Sequence, residues 1–168
     1  MRNIIQLAVF ILGSLLFFVS CEQTPPTPQA PQTIDKTEKY GTGAVSRRYQ
    51  EIGGKKEGLM TDYYPDGRVK AERWFKNDQQ TGRTVLYYPG GAIKEVQYYQ
   101  DGKKEGGDTL FYENSRIQFV VAFHQEKKNG YLRKWSPEGD LVFEAKYVLD
   151  SLVEVKGKAV RPDSVEVK

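Results

Sequence analysis

The chain holds 168 residues, with 25 Lys and Arg against 22 Asp and Glu, a formal net charge of +3, one histidine and one cysteine. So near a balance argues against dedicated nucleic-acid binding, which needs a strongly basic face, and a lone cysteine excludes an internal disulfide. No Ser-His-Asp or Cys-His arrangement and no Cys/His metal spacing is present, so neither a catalytic triad, nor a metal, nor a cofactor is expected.

Residues 1–20 read as a signal peptide. Arg2 is the only charge ahead of a short apolar core from Ile4 to Val19, too short for a typical membrane span. The core ends in Leu16-Phe17-Phe18-Val19-Ser20-Cys21, similar to a bacterial lipobox, in which cleavage precedes a lipid-modified cysteine. The reading is a lipoprotein anchored through Cys21 to a membrane of the cell envelope, with the leaflet open. Residues 21–43 follow as a linker, with Pro25, Pro26, Pro28 and Pro31 among Thr and Gln. Such a composition predicts a disordered, semi-extended tether. About twenty residues would reach roughly 60 Å at polyproline rise.

From 44 to 152 the chain repeats every 24 residues. Gly58, Gly82, Gly106 and Gly130 mark the period. Five positions on comes an aromatic (Tyr63, Tyr87, Phe111, Trp135), and eleven on an aliphatic (Val69, Ile93, Ile117, Leu141). A second aromatic stands seventeen on (Phe75, Tyr99, Phe123, Tyr147). A fixed period means stacked copies of one unit. Within each, a β-branched and aromatic run, a turn such as Pro65-Asp66-Gly67 and a returning run predict a β-hairpin. Segments 76–82 and 100–106 read as polar turns between hairpins. The expected fold is all-β: four tandem hairpins in one elongated, twisted antiparallel sheet, whose inward aromatics and aliphatics are buried only by neighbouring units. The apolar run Ile117–Phe123 predicts a strand covered on both faces. Tyr49 and Ile52 look like an incomplete upstream unit, and residues 153–168 like a charged capping strand or tail.

The segment Gly102-Lys103-Lys104-Glu105-Gly106 followed by Phe111-Tyr112 resembles the bacterial variant of the MORN repeat, found in YwqK-like antitoxin proteins. The copy from Gly54 through Tyr63-Tyr64-Pro65-Asp66-Gly67 matches best, and the resemblance covers about residues 53–147. It implies an all-β interaction module without catalytic residues. Its antitoxin association attaches to no residue here.

Two surfaces could bind. Lys55-Lys56, Lys103-Lys104 and Lys127-Lys128 recur in equivalent places and would line one edge, offering cations to anionic lipid or polysaccharide. The alternative is solubilising turns, offset by Glu57 and Glu105. Tyr64, Tyr88 and Tyr112, with Trp74 and Tyr98, share one strand parity and would form an exposed aromatic stripe for a protein or carbohydrate. The alternative is cross-strand packing that shields a thin sheet. His124 reads as a solvated turn residue, and Asp62, Glu72, Glu95 and Glu144 as solvated strand carboxylates rather than a glycosidase pair. The leading expectation is a non-catalytic module binding a protein or envelope polymer. An antitoxin-like or immunity protein that occludes a toxic partner is the second reading, and a surface carbohydrate-active enzyme the third.

Overall fold

The computed structural model describes residues 30–156 and the backbone of 158–159. The signal segment, Cys21, the linker up to residue 29 and the tail 160–168 lie outside the described residues.

Every described element is a strand or a turn. The strands are β1 (Thr33–Lys39), β2 (Val45–Ile52), β3 (Lys55–Tyr63), β4 (Val69–Lys76), β5 (Gln79–Tyr87) and β6 (Ile93–Gln100). They continue as β7 (Lys103–Lys104), β8 (Gly106–Phe111), β9 (Ile117–His124), β10 (Lys127–Trp135), β11 (Leu141–Val148), β12 (Ser151–Val155) and β13 (Lys158–Ala159). Each pairs antiparallel with its sequence neighbour, so spatial order follows chain order in one open sheet of consecutive hairpins. Glu105 separates β7 from β8, both of which pair with β6, and its N–H donates to the Tyr98 carbonyl at 2.9 Å.

Two turn types alternate, one along each edge. The first is a three-residue loop. The Tyr64 N–H donates to the Arg68 carbonyl at 2.8 Å and the Gly67 N–H to the Tyr64 carbonyl at 2.9 Å. Gly67, at φ +86°, fills the left-handed bulge position that ends such loops. The same bonds close 40–44, 88–92, 112–116 and 136–140. The second type has only two residues, both left-handed: Gly53-Gly54, Asn77-Asp78, Asp101-Gly102, Gln125-Glu126 and Leu149-Asp150. These are type I′ geometry, whose twist suits a two-residue hairpin.

The repeat glycines themselves are bulges. Gly58, Gly82, Gly106 and Gly130 have φ from +66° to +119°, and the pairing register skips beside Gly58, Gly82 and Gly130. A Cβ on Gly130 would stand 3.3 Å from that of Ala122, which adds a steric reason for glycine there.

Several expectations change here. The polar segments 76–82 and 100–106 are two-residue turns flanked by strand, because charged and amide side chains occupy paired positions as readily as turn positions in so exposed a sheet. Residues 33–43, read as linker, form β1 and its turn. Tyr40 and Gly43 stand one period before Tyr64 and Gly67, and the array begins one hairpin earlier. No described element covers the Ile117–Phe123 run, since all strands lie in one layer. The eleventh-position aliphatics Ile93, Ile117 and Leu141 are exposed, because they pair at the mouths of the three-residue turns, where no further strand residue shields them.

The register separates two faces. Met60, Asp62, Ala71, Thr84, Asp108, Val121 and Ala145 share a packed face, and among the described residues all the buried side chains except Val85 lie there. Leu59, Trp74 and Tyr98 belong to the opposite, open face.

Candidate functional site

The lysine pairs divide between the faces, because side chains alternate along a strand. Lys56, Lys104 and Lys128 lie on the packed face. Their ammonium groups sit 5.8 Å from the Tyr49 ring centroid, 5.1 Å from Phe123 and 5.0 Å from Tyr147. Each is a cation–π contact within the expected range. Lys55, Lys103 and Lys127 pair with Ile52, Gln100 and His124 on the open face and are exposed. One edge bearing six equivalent cations is therefore not what the sheet builds.

The tyrosines divide as well. Tyr64, Tyr88 and Tyr112 are half-buried, and their hydroxyls donate to the carbonyls of Tyr87, Phe111 and Trp135 at 2.7, 2.7 and 2.8 Å. Tyr40 does the same to Tyr63 at 2.6 Å. Every bond spans 23 residues, so each hydroxyl ties one unit to the next. Lys70 and Lys94 lie 5.8 and 5.7 Å from the Tyr64 and Tyr88 rings. These positions work inside the array, as the shielding alternative required.

Trp74 and Tyr98 are different. They are 48 % and 45 % exposed, and among the described residues no side-chain hydrogen bond engages either. Trp74 pairs with exposed Leu59, and Tyr98 with exposed Arg83. The equivalent pairs are Gly107–Ala122 and Tyr131–Lys146. All eight are the first and sixteenth positions after each repeat glycine, so one pair per hairpin forms a row across the open face. Sequence reasoning passed over Leu59, Arg83 and Tyr131. The signal was present as the residue directly after each glycine, but its chemistry varies from copy to copy.

The packed face holds two charged clusters. Asp62, 8 % exposed, accepts from Arg47 Nε at 2.6 Å and from Arg73 Nη1. Burial alone would raise its pKa, but the two guanidinium bonds outweigh it and hold the carboxyl below its ordinary range. Farther along, Lys104 Nζ stands 2.6 Å from Asp108 Oδ2. Burial, with the Asp108 charge beside it, pushes the Glu95 carboxyl up, while the Gln97 amide bond opposes the shift.

The other carboxylates are engaged elsewhere. Glu72 accepts from the Tyr87 hydroxyl at 2.8 Å and Glu144 from Arg133 at 2.5 Å, both on the open face. The sheet thus separates Asp62 and Glu95 from Glu72 and Glu144. His124 is exposed yet not free, with its Nδ1 2.9 Å from Glu105 Oε1. Among the described residues no group of three or more His, Cys, Asp or Glu is placed to hold a metal. The chain matches no protein-family model, and no curated protein matches it significantly.

Proposed function

We propose that this protein is an exported lipoprotein, anchored through Cys21 in the cell envelope, whose MORN-like sheet is a non-catalytic module binding a protein or envelope polymer. One observation carries the binding role: Trp74 and Tyr98 stand half-exposed on the same face of neighbouring hairpins, while the tyrosines beside the turns are spent on internal bonds. Exposed aromatic groups in a row favour recognition over stability, since burying them elsewhere would have contributed to the fold. The export and anchoring rest on residues 1–21, and the envelope location follows from them.

In-cell photocrosslinking from position 83, set between the two rings, tests the module. Labelling of one protein or one envelope polymer, lost when Trp74→Ala and Tyr98→Ala are combined, is the expected result. Labelling unchanged by that pair removes the open face from the proposal.

A further inference from the structure

We propose that β1 is a self-association edge, on which a second copy of this chain pairs antiparallel about a two-fold axis through Thr37. The inference goes beyond the binding-module reading and stands or falls without it.

The two ends of the sheet differ. At the C-terminal end β13 is two residues long, a short edge of the kind that discourages further pairing. At the other end β1 runs seven residues, and among the described residues only β2 pairs with it. The Tyr40 N–H donates to the Ala44 carbonyl at 2.8 Å. Main-chain groups alternate in direction along a strand, so those of Glu38, Lys36 and Ile34 turn toward β2. Those of Asp35, Thr37 and Lys39 point outward, on the side where β3, β5, β8 and β10 each meet the hairpin before them.

Charge fixes the partner and the register. Around the centre the strand reads Asp35-Lys36-Thr37-Glu38-Lys39. Laid antiparallel on itself with Thr37 on the axis, it sets Asp35 opposite Lys39 of the second copy, and Lys36 opposite its Glu38. The two-fold axis makes each pair twice. Opposite charges facing across strands stabilise, and like charges destabilise. An axis at Asp35, Lys36, Glu38 or Lys39 instead sets that residue opposite its own copy. Within the charged run Thr37 is therefore the one centre without a like-charge clash. Charge on an edge strand commonly discourages pairing, and here it selects one register. The same register sets Ile34, 46 % exposed, opposite Tyr40.

Contacts already made within the hairpin leave these charges available. Asp35 accepts from the Gln50 amide at 2.9 Å, a neutral partner that leaves its charge uncompensated. No carboxylate pairs with Lys39 among the described residues. Lys36 lies 3.4 Å from Glu51, and Glu38 3.4 Å from Arg47, both as surface contacts. The Lys36 and Glu38 side chains stay 41 % and 49 % exposed, so each can take a second partner from the free side.

One edge pairing is smaller than a standard interface, so association should depend on concentration. The test is sedimentation equilibrium of the full chain in detergent across a wide concentration range. A monomer–dimer equilibrium is expected. Asp35→Lys and Lys39→Asp should each weaken it at least tenfold, because each sets like charges opposite one another. An equimolar mixture of the two should dimerise again, as should the double variant carrying both changes. Unchanged far-ultraviolet dichroism checks the sheet, and exposed Lys39 serves if Asp35→Lys disturbs folding through Gln50. In a Cys21→Ser background, Thr37→Cys should form an intermolecular disulfide at least fivefold faster than Thr33→Cys, since only position 37 meets its own copy. A chain that stays monomeric throughout overturns the proposal. So does a dimer that neither single variant weakens, which would place the contact away from β1. Failure of both the mixture and the double variant to restore the dimer overturns the register and the proposal with it.

Discussion

The Tyr64 hydroxyl donates to the main-chain carbonyl of Tyr87, 23 residues away, at 2.7 Å. Tyr40, Tyr88 and Tyr112 repeat that bond to the next unit. A one-layer sheet has little interior, so such rungs supply order that a core would supply elsewhere. Removing one hydroxyl with Tyr88→Phe should destabilise by about 0.5–1.5 kcal/mol. Trp74→Ala, on an exposed side chain, should stay within about 0.5 kcal/mol. Urea unfolding of the two variants compares them directly. A larger loss for Trp74→Ala would mean that the open-face ring contributes to packing.

Asp62 and Glu95 bend the pH dependence in opposite senses. The Asp62 pKa is lowered in the fold, so its contribution is present above its unfolded value, about 3.9, and is lost as pH falls toward the folded value. Asp62→Asn should lower stability at pH 7 by about 1–3 kcal/mol and remove part of the acid-induced loss.

For Glu95 the folded pKa is raised. Its contribution is complete below the unfolded value, about 4.3, and is lost as pH rises through the folded value. Above that folded value the ionised carboxylate stands against burial and the Asp108 charge, so Glu95→Gln should gain most at the high-pH end of the range and nothing near pH 3. Thermal melts across that range check both signs. A Glu95→Gln variant whose relative stability falls as pH rises would show that the Gln97 and Lys104 contacts outweigh the repulsion.

Much of the fold was legible because the repeat writes its backbone constraints in residue types. Gly58 and its copies mark bulges, and Gly67 and its copies mark left-handed turn residues, both conformations that exclude most side chains. The two-residue turns were hidden, since Asn77-Asp78, Gln125-Glu126 and Leu149-Asp150 hold left-handed geometry without glycine. Their polar flanks looked like loop. β1 was hidden by the prolines just ahead of it and by its charges, although Tyr40 and Gly43 kept the period. The candidate site was half legible. Strand parity grouped Tyr64 with Trp74, but the bulge at the turn and a carbonyl within reach on the next hairpin give Tyr64 a partner that Trp74 lacks among the described residues. That partner is a long-range bond, which parity alone does not show.

The turns yield their own test. Glu126 (φ +69°) and Ser115 (φ +64°) occupy left-handed positions where other copies place Gly102 and Gly67 or Gly91. A non-glycine residue there costs roughly 1–2 kcal/mol relative to its preferred conformation. Glu126→Gly and Ser115→Gly should therefore each raise stability, by about 0.5–1 kcal/mol once the greater freedom of glycine in the unfolded chain is counted. The two sites lie in different turns, so their effects on the urea midpoint should add. Ser115→Gly without a gain would mean that the serine makes a compensating contact within its turn.

Lys103 and Lys104 are adjacent in sequence and opposite in role. Lys104 Nζ lies 2.6 Å from Asp108 Oδ2, and Asp108 is only 6 % exposed. The same ammonium stands over the Phe123 ring. Lys104→Ala removes the cation and leaves the Asp108 charge beside Glu95 with no neutralising partner. A buried pair broken in this way costs about 3–5 kcal/mol, and the partial exposure of Lys104 brings the expectation to about 2–3 kcal/mol. Lys103→Ala faces solvent and should change stability by less than about 0.5 kcal/mol. Pairing Lys104→Ala with Asp108→Asn should recover much of the loss, because the second change removes the stranded charge. Failure of that rescue would assign the cost to the Phe123 contact instead of the carboxylate.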